Sequence, residues 1–76
     1  MEIRELFAKN LRKSRQAKGL SQEELAHLAD IDRTYISSLE RGLYSPTIEV
    51  LDKLARALGI QPEDLIKSAT DSERRQ

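Results

Sequence analysis

Each of the three glycines, Gly19, Gly42 and Gly59, stands directly after a run of apolar residues spaced three and four apart. That placement most constrains the fold, because glycine after an amphipathic run is the usual stop of an α-helix. Ile3, Leu6, Phe7 and Leu11 mark a first helix over residues 2–18, and Tyr35, Ile36 and Leu39 a third ending near Arg41. Ile48, Leu51, Leu54, Ala55 and Leu58 mark a fourth. No Val, Ile or Thr run alternates as a strand would, so the chain is read as all-α.

The start signals agree with the stops. Ser21 and Glu24 form an S-x-x-E capping box, with Leu20 and Leu25 placed as a hydrophobic staple, and open a second helix that runs to Leu28 or Ala29. Asp32 is the expected cap of the third helix and Thr47 of the fourth, since Pro46 resists helical continuation. Pro62 suits the first position of a short fifth helix carrying Leu65 and Ile66, although Gln61 is a poor cap. The expectation is a compact five-helix bundle over residues 1–68, followed by a polar, fraying tail over 69–76.

Composition narrows the function classes. The chain of 76 residues has no Cys, one His and no Trp, so disulfide frameworks, thiol chemistry and zinc-finger spacing are excluded. No stretch is apolar enough to span a membrane or serve as a signal core, and a cytoplasmic location is expected. His27 is isolated and Glu23 and Glu24 are adjacent, pointing different ways, so no catalytic, metal or cofactor site is expected.

Formal charge is zero overall, but it is unevenly spread. Residues 1–20 carry six basic side chains (Arg4, Lys9, Arg12, Lys13, Arg15, Lys18) against Glu2 and Glu5, a net +4. In residues 21–40, Arg33 stands against Glu23, Glu24, Asp30, Asp32 and Glu40, a net −4. Any nucleic-acid surface must therefore be local and directional.

Residues 22–42, QEELAHLADIDRTYISSLERG, read as a helix, a turn of three or four residues and another helix, which is helix-turn-helix spacing. Ala26 lies where a close crossing needs a small side chain, and Ile36 points into the core. Here the sequence resembles the helix-turn-helix regulators of the phage repressor and Cro type, including the controller proteins of restriction–modification systems. The resemblance spans roughly residues 5–67 and is carried by LRKSRQAKGLSQEELA, DRTYISSLERG and SPTIEVLDKLARALGI. It implies a lambda-repressor-like DNA-binding domain. One departure is Asp30, where such regulators often have glycine; Asp tolerates the left-handed conformation at modest cost.

With that resemblance, the polar face of the third helix acquires a purpose. Residues 33, 34, 37, 38 and 41 fall side by side on one helical surface. Arg33 can give two parallel hydrogen bonds to guanine and Thr34 can meet a base edge or a thymine methyl, while Ser37 and Ser38 let the helix seat closely in a major groove. The alternative for Arg33 is a salt bridge to Asp32 or plain solvent exposure. Gln22 is implied to clamp a phosphate, its alternative being a surface helix former. Arg41, Tyr44 and Ser45 are placed for further phosphates, and Tyr35 either buries its ring or lays its hydroxyl on the backbone. Arg12 and Lys13 are candidates for nearby phosphates or for a solvated face.

Arg15 and Glu40 are implied by the resemblance to form a partly buried structural ion pair. Because one recognition helix reads few base pairs, a homodimer on a palindromic operator in double-stranded DNA is expected, with Ile60, Leu65 and Ile66 offering either subunit contact or ordinary core. No small-molecule ligand is expected. An antitoxin would use the same fold with an added toxin-binding surface, whereas a pure interaction module would not need Arg33 and Gln22 at helix starts.

Overall fold

The computed structural model describes residues 2–68. Four α-helices run α1 (Ile3–Ala17), α2 (Gln22–Ala29), α3 (Arg33–Glu40) and α4 (Ile48–Leu58), followed by a 3-10 turn at Pro62–Leu65. No strand occurs among the described residues, and the expected tail at 69–76 lies outside them.

The caps of α2, α3 and α4 each have a visible hydrogen bond. The Ser21 hydroxyl accepts the Glu24 N–H at 3.0 Å while the Glu24 carboxylate accepts the Ser21 N–H at 2.8 Å, closing the box at the start of α2. Asp32 accepts the Thr34 N–H at 2.7 Å and Thr47 the Val50 N–H at 3.1 Å, which start α3 and α4. At the end of α2, Asp30 takes φ 56° and ψ 49°, the left-handed conformation that reverses the chain within the three residues 30–32. The Ile31 N–H then returns to the Ala26 carbonyl at 2.9 Å.

The five-helix expectation needs correction at its last element. Pro62–Leu65 is one turn of 3-10 helix, with the Asp64 N–H on the Gln61 carbonyl and the Ile66 N–H on the Glu63 carbonyl. Asn10 of α1 holds its end in place. Its side-chain amide donates to the Leu65 and Lys67 carbonyls at 3.1 and 3.0 Å, pinning the segment across α1. A poor cap at Gln61 is offset by the Asp64 carboxylate, which accepts the Gln61 N–H at 3.0 Å.

The helices enclose one core in which Phe7, Leu11, Leu25, Ile36, Leu39, Leu54 and Leu65 are fully buried. Burial of each such side chain contributes roughly 1.5–3 kcal/mol. α2 packs on both α3 and α4, α1 on α3 and the 3-10 turn, and α4 on that turn. Ala26 and Ala29 are buried on α2, and their small side chains let the neighbouring helices approach. α3 is thereby held with one face inward and the other open to solvent.

Candidate nucleic-acid interface

The inward stripe of α3 is Ile36 and Leu39, both with no exposed surface. On the opposite side of its first turn Arg33 and Thr34 are exposed, Ser37 and Ser38 are half-buried one turn on, and Arg41 is exposed just past the end. Among the described residues no ion pair involves Arg33. Asp32, the alternative partner weighed from sequence, caps the helix instead. The guanidinium therefore stands free at the helix start, where an approaching base edge could be met.

Beside α3 the loop residues Tyr44 and Ser45 are exposed. Tyr35 is half-buried against the core, and its ring lies 6.5 Å from that of Tyr44, tilted by 41°. This spacing suits an aromatic pair and braces the loop against the helix. Gly42, at φ 74°, makes the left-handed bend between them.

Glu40, at the other end of α3, is only 4% exposed. Its carboxylate accepts Arg15 Nε at 2.6 Å and Nη2 at 3.0 Å, a two-pronged pair between α1 and α3. Arg15 Nη1 continues to the Leu20 carbonyl at 2.8 Å. The hydrogen bond to Glu40 raises the Arg15 pKa, so this cation stays charged at any ordinary pH.

Gln22 is half-buried, and its side-chain amide donates to Glu40 Oε1 at 3.1 Å. Sequence reasoning aimed this side chain outward and missed the inward bond. It also left Arg12 between two surface roles, whereas Arg12 Nη1 donates to the Glu40 backbone carbonyl at 2.7 Å. The signal for both was spatial, since these partners lie 18 and 28 residues away. Lys13 is exposed and Lys9 lies exposed on the same helix.

Leu65 must be removed from the surface set aside for a second subunit. It is fully enclosed, because the 3-10 turn rotates it onto α1 and α4 and leaves Ile66 as the outward residue, 43% exposed. Ile60 is partly buried against the core. Ile3, Phe7, Pro46, Leu51 and Ile66, together with Arg4 and Ser45, line a shallow cleft of about 170 Å³ on that side. Among the described residues no cluster of His, Cys, Asp or Glu is grouped to hold a metal ion. No helix among them is long and apolar enough to cross a membrane.

The helix-turn-helix family model matches residues 11–65 of the chain, the span from the middle of α1 to the 3-10 turn. The chain belongs to this family of DNA-binding transcriptional regulators. Such regulators are not enzymes. The regulator is 44% identical over 69 residues to the control protein C.BamHI of Bacillus amyloliquefaciens, covering 90% of this chain and 85% of that one.

Solved structures agree with the fold. The hypothetical transcription factor NHTF from Neisseria superposes with a TM-score of 0.91 at 35% identity, over 99% of the regulator and 86% of that chain. The restriction–modification controller protein C.AhdI from Aeromonas hydrophila gives a TM-score of 0.79 at 45% identity, over 82% and 94%.

Proposed function

We propose that the regulator binds a palindromic operator in double-stranded DNA as a homodimer and serves as a restriction–modification controller, governing its own operon and a restriction gene. The observation that carries the reading is the exposed Arg33, outside any ion pair among the described residues, beside Thr34 at the start of a helix whose other face is locked in the core. α3 enters the major groove, Arg33, Thr34, Ser37 and Ser38 meet base edges, and Gln22, Tyr35, Arg41, Tyr44 and Ser45 meet phosphates. The bases specify the site and the phosphates fix the register.

Ile60 and Ile66 supply part of the contact between subunits, with half-sites about one helical turn, or ~34 Å, apart. The similarity to control proteins over most of their length supports the controller assignment. Regulation then follows concentration: dimerisation before binding sharpens the response to the protein's own abundance.

Selection of bound duplexes from random DNA at moderate salt tests this, because purely phosphate-driven binding fades as salt rises. A recovered palindrome with half-sites one turn apart is the expected result. No enrichment over the input pool would overturn the sequence-specific reading.

A further inference from the structure

A carboxylate buried as deeply as Glu40 must have its oxygens satisfied, since an unpaired buried charge is strongly unfavourable. Arg15 satisfies both oxygens, through Nε and Nη2. Charge pairing is thus complete without a third donor. Yet the Gln22 amide also donates to Oε1, reaching from the first position of α2 to the last position of α3.

An ionised carboxylate can only accept, so it dictates which end of the Gln22 amide faces it. The nitrogen is turned inward, one N–H is committed, and the side chain is held in a single orientation. A free glutamine on a surface helix would sample several rotamers and would have to lose that freedom when it met DNA.

We propose that Glu40 is a positioning residue for DNA binding: it presets the Gln22 amide for the phosphate backbone, while Arg15 neutralises the carboxylate so that it does not repel the DNA. This rests on Gln22 as a phosphate contact. One carboxylate on the recognition helix thereby ties the phosphate anchor on α2 to the base-reading residues on α3. Holding the rotamer in advance is worth about two- to tenfold in affinity, the ordering cost of one long side chain.

The test uses the full chain and a short mixed-sequence duplex at low salt, where binding is dominated by phosphates. Gln22→Ala, Glu40→Gln and the double variant are compared, with circular dichroism reporting the fold of each. An amide at position 40 has one accepting oxygen and cannot serve Arg15 and Gln22 as the carboxylate does. Each single variant is expected to weaken binding by about two- to tenfold, and the double variant no further than the weaker of the two.

If Gln22→Ala binds as tightly as the unaltered protein, Gln22 is not a phosphate contact and both readings fail. If Gln22→Ala weakens binding but Glu40→Gln binds equally well, or its loss adds in full to that of Gln22→Ala, only the positioning role fails. Should Glu40→Gln not fold, the side-chain amide of Gln22 in the unaltered, DNA-free protein decides by NMR. One of its two protons is expected to be protected from exchange and shifted away from its ordinary position while the other exchanges freely, whereas a pair of signals like those of an exposed glutamine would overturn the proposal.

Discussion

Asp32 Oδ1 accepts the Thr34 backbone N–H at 2.7 Å, so the carboxylate next to Arg33 in the chain caps α3 instead of pairing with that guanidinium. The cap and the proposed reading residue are thus neighbours with separate duties. Replacing Asp32 with Ala should cost about 0.5–2 kcal/mol of stability. Urea titration would show it, and an unchanged midpoint would refute the capping role.

Arg33→Ala should leave folding within about 0.5 kcal/mol of the unaltered protein, because the side chain is exposed and outside any ion pair among the described residues. Discrimination at one base pair of each half-site should fall by about 1–3 kcal/mol. Binding to a set of operators with single-base changes measures this. Equal weakening on every sequence would assign Arg33 to the phosphates.

Breaking the Arg15–Glu40 pair should be far more damaging to the fold. Arg15→Ala strands a carboxylate whose side chain is 3% exposed, and the expected loss is about 3–5 kcal/mol. Replacing both residues with Met should cost less than either single loss, since no charge is then left buried. Chemical denaturation of the single and double variants checks this; a double variant worse than both singles would contradict it.

The capping box predicts an acid-sensitive start to α2. The Ser21 backbone N–H lowers the Glu24 pKa below its ordinary 4.5. A depressed carboxylate contributes stability that is fully present above the unfolded value and is lost as pH falls through the folded one. An NMR titration of the Glu24 side chain should therefore find its midpoint below 4.5. Removing the carboxylate with Glu24→Gln should flatten this part of the acid-unfolding curve, and a Glu24 midpoint at the ordinary value would count against the box.

Leu65 and Ile66 are neighbours with opposite surroundings. Leu65→Ala should cost about 2–5 kcal/mol, since it empties a fully enclosed site. Ile66→Ala should barely move the unfolding of the monomer; under the proposed homodimer it should raise the protein concentration at which dimers form. Sedimentation across a concentration range separates the two. An unchanged dimer affinity for the Ile66 variant would remove it from the proposed interface.

The helices were legible because their periodicity, caps and stops are local and agree with one another, as Ser21, Thr47 and the left-handed Gly59 show. The left-handed turn at Asp30 was readable too, where a residue other than glycine still meets the backbone demand. The last element was overestimated because Pro62 signals a helical start, while the contact that fastens the end of the turn comes from Asn10, 55 residues away from Leu65. At the interface, exposure of Arg33 and Thr34 followed from spacing alone. The inward bonds of Gln22 and Arg12 did not, because a side chain's choice between water and a distant carboxylate or carbonyl depends on how the helices cross.

The two faces of α3 answer to different demands: Ile36 and Leu39 hold it in place, while Arg33 and Thr34 touch solvent. Substitutions at the outer positions leave a folded protein, apart from small changes in helix preference. If these outer residues read DNA as proposed, descendants of such a chain would acquire new target sites in single steps without passing through an unfolded intermediate sequence. Divergence in recognition and persistence of the scaffold would then proceed independently, and duplicated copies in one cell would drift apart into regulators that no longer cross-talk.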